Sequence, residues 1–250
     1  RDRDNDSGNN QESASESLFS WVSMYLWGVL TENDTYRDAG VFGFTNEMEA
    51  VKQYWFDYDG DNWVEAWPYD VVAQVYGGIN FYGTFFGGQP LYCYGIQWLP
   101  ISEYLTYYGT EQKRCAEIYQ GLLDDTDIAM DKAVEAAQNE GKTQEEIDKI
   151  LQDYPQADNG WQHITWPFLA LTDPDGAMEK FLANDSKVQN TDTAMTYWYI
   201  NALKENGVRS SQYKVTGDGV SGSVYYQESE NKYTVNRNFL RFFFLLFQAN

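Results

Sequence analysis

Apolar residues recur at intervals of three and four along most of this chain, which is the spacing of one face of a helix. Short polar or glycine-containing stretches separate these segments, and residues 31–34 break the first of them. We expect helices over the following residues: 13–30, 36–44, from 45 onwards, 111–122, 128–139, 144–153, 160–171, from 173 onwards, and 193–205. The pattern therefore predicts a mainly α fold.

Two regions have the pattern of strands instead. Residues 71–76 and 79–86 predict two strands, and Gly77 and Gly78 between them predict a turn. Residues 217–222, 223–227 and 232–236 predict further short strands and turns. No repeat is visible in the sequence. Consecutive helix pairs around an aromatic-rich centre predict a single domain over residues 1–250, an α/α toroid or barrel with a small β portion and a ligand cleft at one end.

The charge of the chain narrows the range of its partners. The sequence has 38 acidic and 17 basic residues, and its formal net charge is −21 at pH 7. A surface this acidic repels the phosphates of nucleic acids and of anionic membranes. We therefore expect no nucleic acid and no membrane as partner, and a neutral or cationic ligand. The apolar run at residues 239–247 is shorter than the roughly 20 residues that cross a bilayer.

Aromatic residues are unusually frequent, at 17% of the chain with 9 Trp and 20 Tyr. Trp and Tyr combine a flat apolar face with a polar edge. They suit the core of a helical protein, and they also suit stacking against the apolar faces of sugar rings. Composition alone leaves both interpretations open.

The two cysteines, Cys93 and Cys115, are too few for a disulfide framework and lack the C-x-x-C spacing of a metal or redox site. They can form one bridge in a secreted protein. Sequons at residues 5–7, 33–35 and 184–186 are compatible with secretion. The polar start of the sequence shows no signal peptide, so we expect a mature or partial chain.

Most other chemistries lack their residues in this sequence. His163 is the only histidine, which excludes a His-rich metal site, and we expect it to line a cleft or to be hydrogen-bonded in the core. Residues 57–61 resemble the start of a calcium loop. However, Asn62 stands where that loop needs Gly, and Pro68 stands where it needs a bidentate Glu. The sequence also lacks a phosphate-binding glycine loop. We expect no metal and no cofactor.

Carboxylates remain, and Glu12 and Glu16 are the most informative pair. They stand four residues apart at the start of an apolar, Trp-containing helix, so they are expected on one helix face about one turn apart. One interpretation is structural, because Ser13 and Glu16 fit the S-x-x-E capping box. The other is general acid/base work on a sugar. Two carboxylates on one face cannot easily flank a scissile bond, so they fit a base and its helper, with the acid supplied from elsewhere.

Several ordered motifs resemble glycoside hydrolase family 81, the endo-β-1,3-glucanases. Together they extend over roughly residues 8–207, which makes the resemblance specific. The matching stretches are QESASE at 11–16, MYLWG at 24–28, TNEMEAVKQYWFDYDGD at 45–61, TFFG at 84–87, GIQWLPI at 95–101, GWQHI at 160–164, ALTDPD at 170–175 and TYWYI at 196–200.

This resemblance implies a catalytic domain that hydrolyses internal β-1,3-glucosidic bonds of β-glucan with inversion, in a secreted, extracellular or cell-wall protein. It implies Glu12 as the general base and Glu16 as a second essential carboxylate. The candidate substrate-binding residues are Gln11, Trp98, Trp161, His163, Trp166 and Tyr197. For the four Trp and Tyr residues among them, a place in the core is an equal alternative.

The sequence also departs from the family pattern. The family's acid, an Asp in a His-rich segment, and its N-terminal β-sandwich both precede the QES segment and have no counterpart in residues 1–10. We therefore expect an incomplete toroid, with the acid and the remainder of the catalytic domain supplied from outside this chain. Met195 replaces a family His, Gln97 replaces an Asn, residues 128–153 look like an insertion, and the C-terminal apolar run does not fit.

Two other functions compete with the glucanase hypothesis. One is a non-catalytic carbohydrate-binding or structural protein built on the same fold. The other is a helical scaffold unrelated to sugars.

Overall fold

A computed structural model describes residues 10–77, 79–184, 193–208, 224–227 and 232–235. The helices are α1 (Ala14–Leu30), α2 (Asp34–Ala50), α3 (Pro90–Trp98), α4 (Gln112–Asn139), α5 (Gln144–Asp153), α6 (Gln162–Leu169), α7 (Pro174–Asn184) and α8 (Thr193–Asn206). A π-helical turn covers Val51–Trp55, and a 3-10 helix covers Glu103–Thr110. The strands are β1 (Asn10–Gln11), β2 (Gln74–Tyr76), β3 (Ile79–Phe81), β4 (Val224–Gln227) and β5 (Lys232–Val235). The mainly α fold with a small β portion is confirmed.

The first two helices form an antiparallel hairpin whose close packing depends on glycines. Gly28 of α1 lies against the backbone of Arg37, and Gly40 of α2 lies against the backbone of Tyr25. Residue numbers therefore rise along one helix as they fall along the other. A Cβ at either glycine would lie far inside van der Waals contact with backbone atoms, which cannot move aside. The missing side chains let the two helix backbones approach and bury the apolar face of α1.

Later helices also pack in consecutive pairs. Helix α4 packs against α5, α6 against α7, and α7 against α8, while α3 contacts α1, α4 and α6. Pairing of neighbouring helices is the arrangement that the aromatic-rich helical pattern predicts. Gly207 ends α8 in the left-handed conformation (φ 63°), and its N–H donates to the Leu203 carbonyl at 2.7 Å, as expected for a glycine C-cap.

A buried aromatic stack joins α3 to α6 at the centre of the core. The rings of Trp98 and Phe168 are parallel within 10°, with centroids 3.8 Å apart, and Trp98 has no exposed surface. Tyr108 packs edge-on against Phe168 at 5.4 Å. Part of the aromatic excess in the composition is therefore core.

A three-stranded antiparallel sheet holds the residues that precede α1. Strand β2 lies in the middle, with β1 and β3 on either side. Gln11 pairs with Val75, and Gln74 pairs with Phe81. The predicted turn after β2 is confirmed at Gly77, which has a φ of 65°. Strands β4 and β5 form a separate antiparallel pair.

Two helix boundaries that we expected do not exist. Helix α2 continues through residue 45, where we expected a new helix to begin. Thr45 Oγ1 and Asn46 Nδ2 donate back to the carbonyls of Val41 and Phe42, one turn earlier in the same helix. Helix α4 likewise runs without a break through residues 123–127, where Thr126 donates to the Leu122 carbonyl at 2.6 Å.

The remaining expectations have mixed outcomes. Cys93 and Cys115 are both buried and unbridged. The predicted segment at 217–222, the apolar run at 239–247 and the polar start at residues 1–9 lie outside the described residues. The single-domain assignment stays a prediction. Among the helices described, none has both the length and the apolar character to span a membrane.

Gly40→Ala should destabilise the protein. The new methyl group meets the backbone of Tyr25, and overpacking of this kind costs about 1–3 kcal/mol, more than the roughly 1 kcal/mol that alanine gains over glycine in helix propensity. Thermal and urea unfolding measure the change. Gly88→Ala is the matched control, because an added Cβ at exposed Gly88 meets nothing within 4 Å. An unchanged or raised free energy of unfolding for Gly40→Ala would show that the two helices are not packed this closely.

Candidate active site

An open groove of about 520 Å³ lies where α1, α6, α8 and the segment after α3 meet. Helix α1 contributes its first turn, and the other three elements contribute apolar and aromatic walls. Its lining residues are Glu16, Leu99, Pro100, Ile101, Trp161, His163, Ile164, Pro167, Met195, Thr196 and Tyr199. The groove thus combines one carboxylate with aromatic and aliphatic surface, which suits a ligand with both polar and apolar faces.

Glu16 is exposed in the first turn of α1, and its carboxylate is not used to cap the helix. The expected capping box is wrong, because Ser13 has a left-handed backbone (φ 60°, ψ 63°) and its side chain makes no cap hydrogen bond. The same motif does form a true capping box at Thr143 and Glu146 at the start of α5. Glu16 is therefore not part of a capping box, and its carboxylate is available to the groove.

The amide of Gln97 takes over the role of the missing cap. Its Oε1 accepts from the N–H of Ala14, the first residue of α1, at 2.9 Å. Its Nε2 donates to the carbonyl oxygens of Ala73 at 2.8 Å and Val72 at 3.3 Å. Gln97 has no exposed surface, so these bonds are shielded from water. One buried side chain thereby joins the start of α1 to residues 72–73, which directly precede β2.

The backbone of Gln97 strengthens the same junction. Its carbonyl oxygen accepts from the hydroxyls of Ser15 and, at 3.2 Å, Tyr108. Ser15 is fully buried. The residues between the two candidate catalytic carboxylates are thus fixed by side-chain and backbone groups of one residue on α3.

Glu12 is held by a second glutamine. The Nε2 of Gln74 donates to Glu12 Oε2, and the hydroxyl of Tyr76 donates to Gln74 Oε1 at 2.9 Å. Gln74 is buried, whereas Glu12 is partly exposed. Glu12 lies immediately before the helix turn that carries Glu16 and is outside the groove lining. The structure therefore places one carboxylate in the groove and fixes the other beside the start of the same helix.

Within the parts of the chain that the structure describes, no cation is paired with either carboxylate. Among the ion pairs between described residues, Glu12 and Glu16 take part in none. Burial, together with the negative charges of Glu103 and Glu16, raises the pKa of Tyr104 to about 12. Burial also raises the pKa of the Glu103 carboxyl. The end of the groove at Glu16 thus has a negative field, which favours a neutral ligand over an anionic one.

Trp161 forms the best-defined aromatic part of the groove. Its indole is packed edge to face against Phe86 and against Tyr92, each with ring centroids 5.0 Å apart. It also lies close to Gly95 of α3, where an added Cβ would come within 2.7 Å of the ring. These contacts fix the plane of a partly exposed indole in the groove wall. His163 lies beside it and also lines the groove, which is one of the two positions that the sequence leaves open for this residue.

Four of the residues predicted to bind substrate lie elsewhere. Trp98 and Trp166 are core residues, with 0% and 1% exposure, and Trp166 Nε1 donates to Asp158 Oδ1 at 2.7 Å. Their buried indole faces cannot stack on a sugar, which corrects that expectation. Tyr197 is exposed but packs against Phe181 and does not line the groove. Gln11 is exposed in β1, also outside the groove lining.

Sequence reasoning missed several residues of the site. On α8, Thr196 and Tyr199 face the groove rather than Tyr197, because residues three apart share a helix face whereas adjacent ones diverge. Helical periodicity applied to the TYWYI motif would have found Tyr199. Gln97 stands in the GIQWLPI motif, where it replaces a family Asn, but its anchoring role follows only from tertiary contacts. Gln74 carries no signal in the sequence, since its role too follows only from such contacts.

The residues described do not assemble a metal site. Within those parts of the chain, no cluster of three or more His, Cys, Asp or Glu side chains is placed to hold an ion. The carboxylate of Asp57, in the stretch that resembles a calcium loop, accepts backbone N–H groups of Asp61, Asn62 and Trp63 at 2.9–3.3 Å. It therefore closes a turn. The groove thus offers the carboxylate of Glu16 beside an aromatic wall, with Glu12 next to it at the start of the same helix.

Comparison with known proteins gives this arrangement a context. Residues 3–120 match the family model described as the glycosyl hydrolase family 81 C-terminal domain. The chain is 29% identical over 230 residues to the glucan endo-1,3-beta-D-glucosidases of Thermobifida fusca and of Acetivibrio thermocellus. These alignments cover 91% of this chain and 26% of each relative, so the chain spans about a quarter of their length.

A solved structure shows the same fold. The chain is similar to glycoside hydrolase family 81 from Clostridium thermocellum, with a TM-score of 0.62 and 30% sequence identity. That match covers 79% of this chain and 24% of the solved one.

Gln97→Met should lower the free energy of unfolding. Methionine keeps the volume but leaves the Ala14 N–H and the Val72 and Ala73 carbonyls without their partner, and each unsatisfied buried group costs about 1–3 kcal/mol. We expect a loss of about 3 kcal/mol or more in urea unfolding. Gln120→Met, which removes an exposed bond to Asp124 within α4, is the matched control. Equal small losses in both variants would contradict the anchoring role of Gln97.

Proposed function

We propose that this chain, a member of glycoside hydrolase family 81, forms part of the catalytic domain of an enzyme that hydrolyses internal β-1,3-glucosidic bonds of β-glucan. The observation that carries this proposal is the first turn of α1. The segment at residues 11–16, which leads into that turn, presents two carboxylates that have no cationic partner among the described residues. One of them, Glu16, enters a groove whose wall includes the fixed indole of Trp161.

The proposed reaction inverts the anomeric centre. Glu12 removes a proton from a water molecule as the water oxygen attacks the anomeric carbon, and the bond from that carbon to the leaving oxygen breaks. A general acid from outside this chain protonates the leaving oxygen. Inverting glycosidases separate acid and base by about 6.5–9.5 Å so that water fits between them.

Glu16 has a supporting part in this proposal. Its carboxylate lies in the groove one helical turn after Glu12, where it can hydrogen-bond the hydroxyls of the sugar or the attacking water. The neutral, hydroxyl-rich glucan suits a negative groove, whereas an anionic polysaccharide would be repelled. We further propose a secreted or cell-wall location, because a polymeric glucan lies outside the cell.

Glu12→Gln, made in the complete protein, should abolish the release of oligosaccharides from a linear β-1,3-glucan. The amide is isosteric but accepts no proton, and loss of a general base costs about 10²–10⁴-fold in rate. Binding of the glucan, measured by calorimetry, should persist. Glu145→Gln on the exposed face of α5 is the matched control and should keep full turnover.

Normal turnover by Glu12→Gln would remove the base assignment. Binding without turnover in the unaltered complete protein would instead favour a non-catalytic carbohydrate-binding protein.

Trp161→Ala should weaken binding of β-1,3-glucan oligosaccharides by about three- to tenfold, the equivalent of one lost aromatic contact. Trp161→Phe should recover part of this affinity, since it keeps an aromatic face. Calorimetric titration of the complete protein measures both. Tyr197→Ala is the control, because Tyr197 is exposed outside the groove. A larger loss in Tyr197→Ala than in Trp161→Ala would place the binding surface elsewhere.

A further inference from the structure

Gln74 is a buried polar residue whose contacts converge on the proposed base. Only 3% of its surface is exposed. Both ends of its side-chain amide are engaged, since Nε2 donates to the Glu12 carboxylate and Oε1 accepts from the Tyr76 hydroxyl at 2.9 Å. Burying an amide is unfavourable unless its groups are bonded. Here the Nε2 bond holds one carboxylate oxygen of Glu12, and the Oε1 bond to Tyr76 holds the amide itself in place.

The small sheet explains why these side chains meet. Asn10 pairs with Tyr76 and Gln11 with Val75, so the same antiparallel register continued by one residue brings Glu12 opposite Gln74. Residues directly opposite in an antiparallel pair have neighbouring side chains. Gln74 and Tyr76 are two residues apart on β2 and therefore share a face of the sheet. The order Tyr76, Gln74, Glu12 thus follows from backbone pairing.

The chemistry of the groups fixes the direction of this chain of hydrogen bonds. An ionised carboxylate accepts only, so the amide must turn its NH₂ group towards Glu12 and its oxygen towards Tyr76. The Tyr76 hydroxyl then has to donate. A rotated amide would place the Gln74 oxygen against the carboxylate oxygen of Glu12, so a single orientation of the Gln74 amide is strongly preferred.

We propose that Gln74 is a positioning residue for catalysis, which holds Glu12 Oε2 so that Oε1 stays free for the attacking water, with Tyr76 fixing the orientation of the Gln74 amide. This inference rests on the proposed function of Glu12 as general base. The sheet then has a role in catalysis, because the register of β1 and β2 places Gln74 where it orients the Glu12 carboxylate. Gln74 itself contacts neither water nor substrate in this mechanism.

Gln74→Met in the complete protein tests the proposal. The substitution keeps the length of the side chain and removes the donor. We expect kcat for a linear β-1,3-glucan to fall by about 10–100-fold, since small misplacements of a catalytic group cost up to about 10²-fold, while KM stays within about twofold. Tyr76→Phe should give a smaller loss in kcat of the same kind. Gln120→Met, which removes an exposed amide–carboxylate bond on α4, should leave both constants unchanged.

A second reaction separates positioning from mere structural support. Glu12→Ala supplied with azide should form an α-glycosyl azide. In that reaction the azide nitrogen bonds to the anomeric carbon, the bond from that carbon to the leaving oxygen breaks, and the acid still protonates the leaving oxygen. Azide needs no base, so adding Gln74→Met to Glu12→Ala should leave this rate unchanged.

The outcomes distinguish this proposal from the one on which it rests. An unchanged kcat in Gln74→Met, or an equal loss in the azide reaction, would overturn the positioning role while leaving Glu12 as the base. Full turnover in Glu12→Gln would overturn the base itself, and the role of Gln74 would fall with it. Loss of the water reaction alone, with the azide rate kept, supports both.

Discussion

The candidate site depends on the hydrogen bonds of the Gln97 side-chain amide. Helix α1 starts from a left-handed serine that offers no cap, so its first N–H would be orphaned inside the protein. Gln97 satisfies that N–H and ties it to the carbonyls of Val72 and Ala73. Because Glu12 lies just before this junction and Glu16 just after it, a loose helix start would displace both carboxylates together.

Two buried glutamines therefore position different parts of the site. Gln97 on α3 fixes the backbone of the turn, and Gln74 on β2 fixes the side chain that precedes it. Each amide offers both a donor and an acceptor, which lets one residue join two different partners in a small volume. The aromatic wall of the groove is also fixed by neighbouring residues, since Phe86, Tyr92 and Gly95 pack against Trp161 and leave part of it exposed. Rigid groups on packed elements are what a site needs to bind a flexible polymer in one register.

The sequence predicts the periodic parts of this protein and misses what depends on contacts distant in the chain. The observed bounds of helices such as α5 and α8 are close to those predicted from periodicity, because the spacing of apolar residues within the segment determines the buried face of the helix. The boundaries inside α2 and α4 are absent since Thr45 and Thr126 bond within the helix, a choice that residue type alone leaves open. Glu16 and Trp161 lie in the groove, whereas Trp98, which also belongs to a matched motif, and Trp166 lie in the core. Neither a motif nor an aromatic side chain alone therefore separates groove wall from core.

The nature of the first product tests the central claim most directly. Proton NMR of the complete protein acting on a linear β-1,3-glucan resolves the anomer of each newly formed reducing end before it equilibrates. We expect the α-anomer first, because a glutamate at the start of α1 would activate water on the face opposite the leaving group. Initial formation of the β-anomer would require a retaining carboxylate pair about 5–5.5 Å apart and would contradict the role of Glu12 as the base.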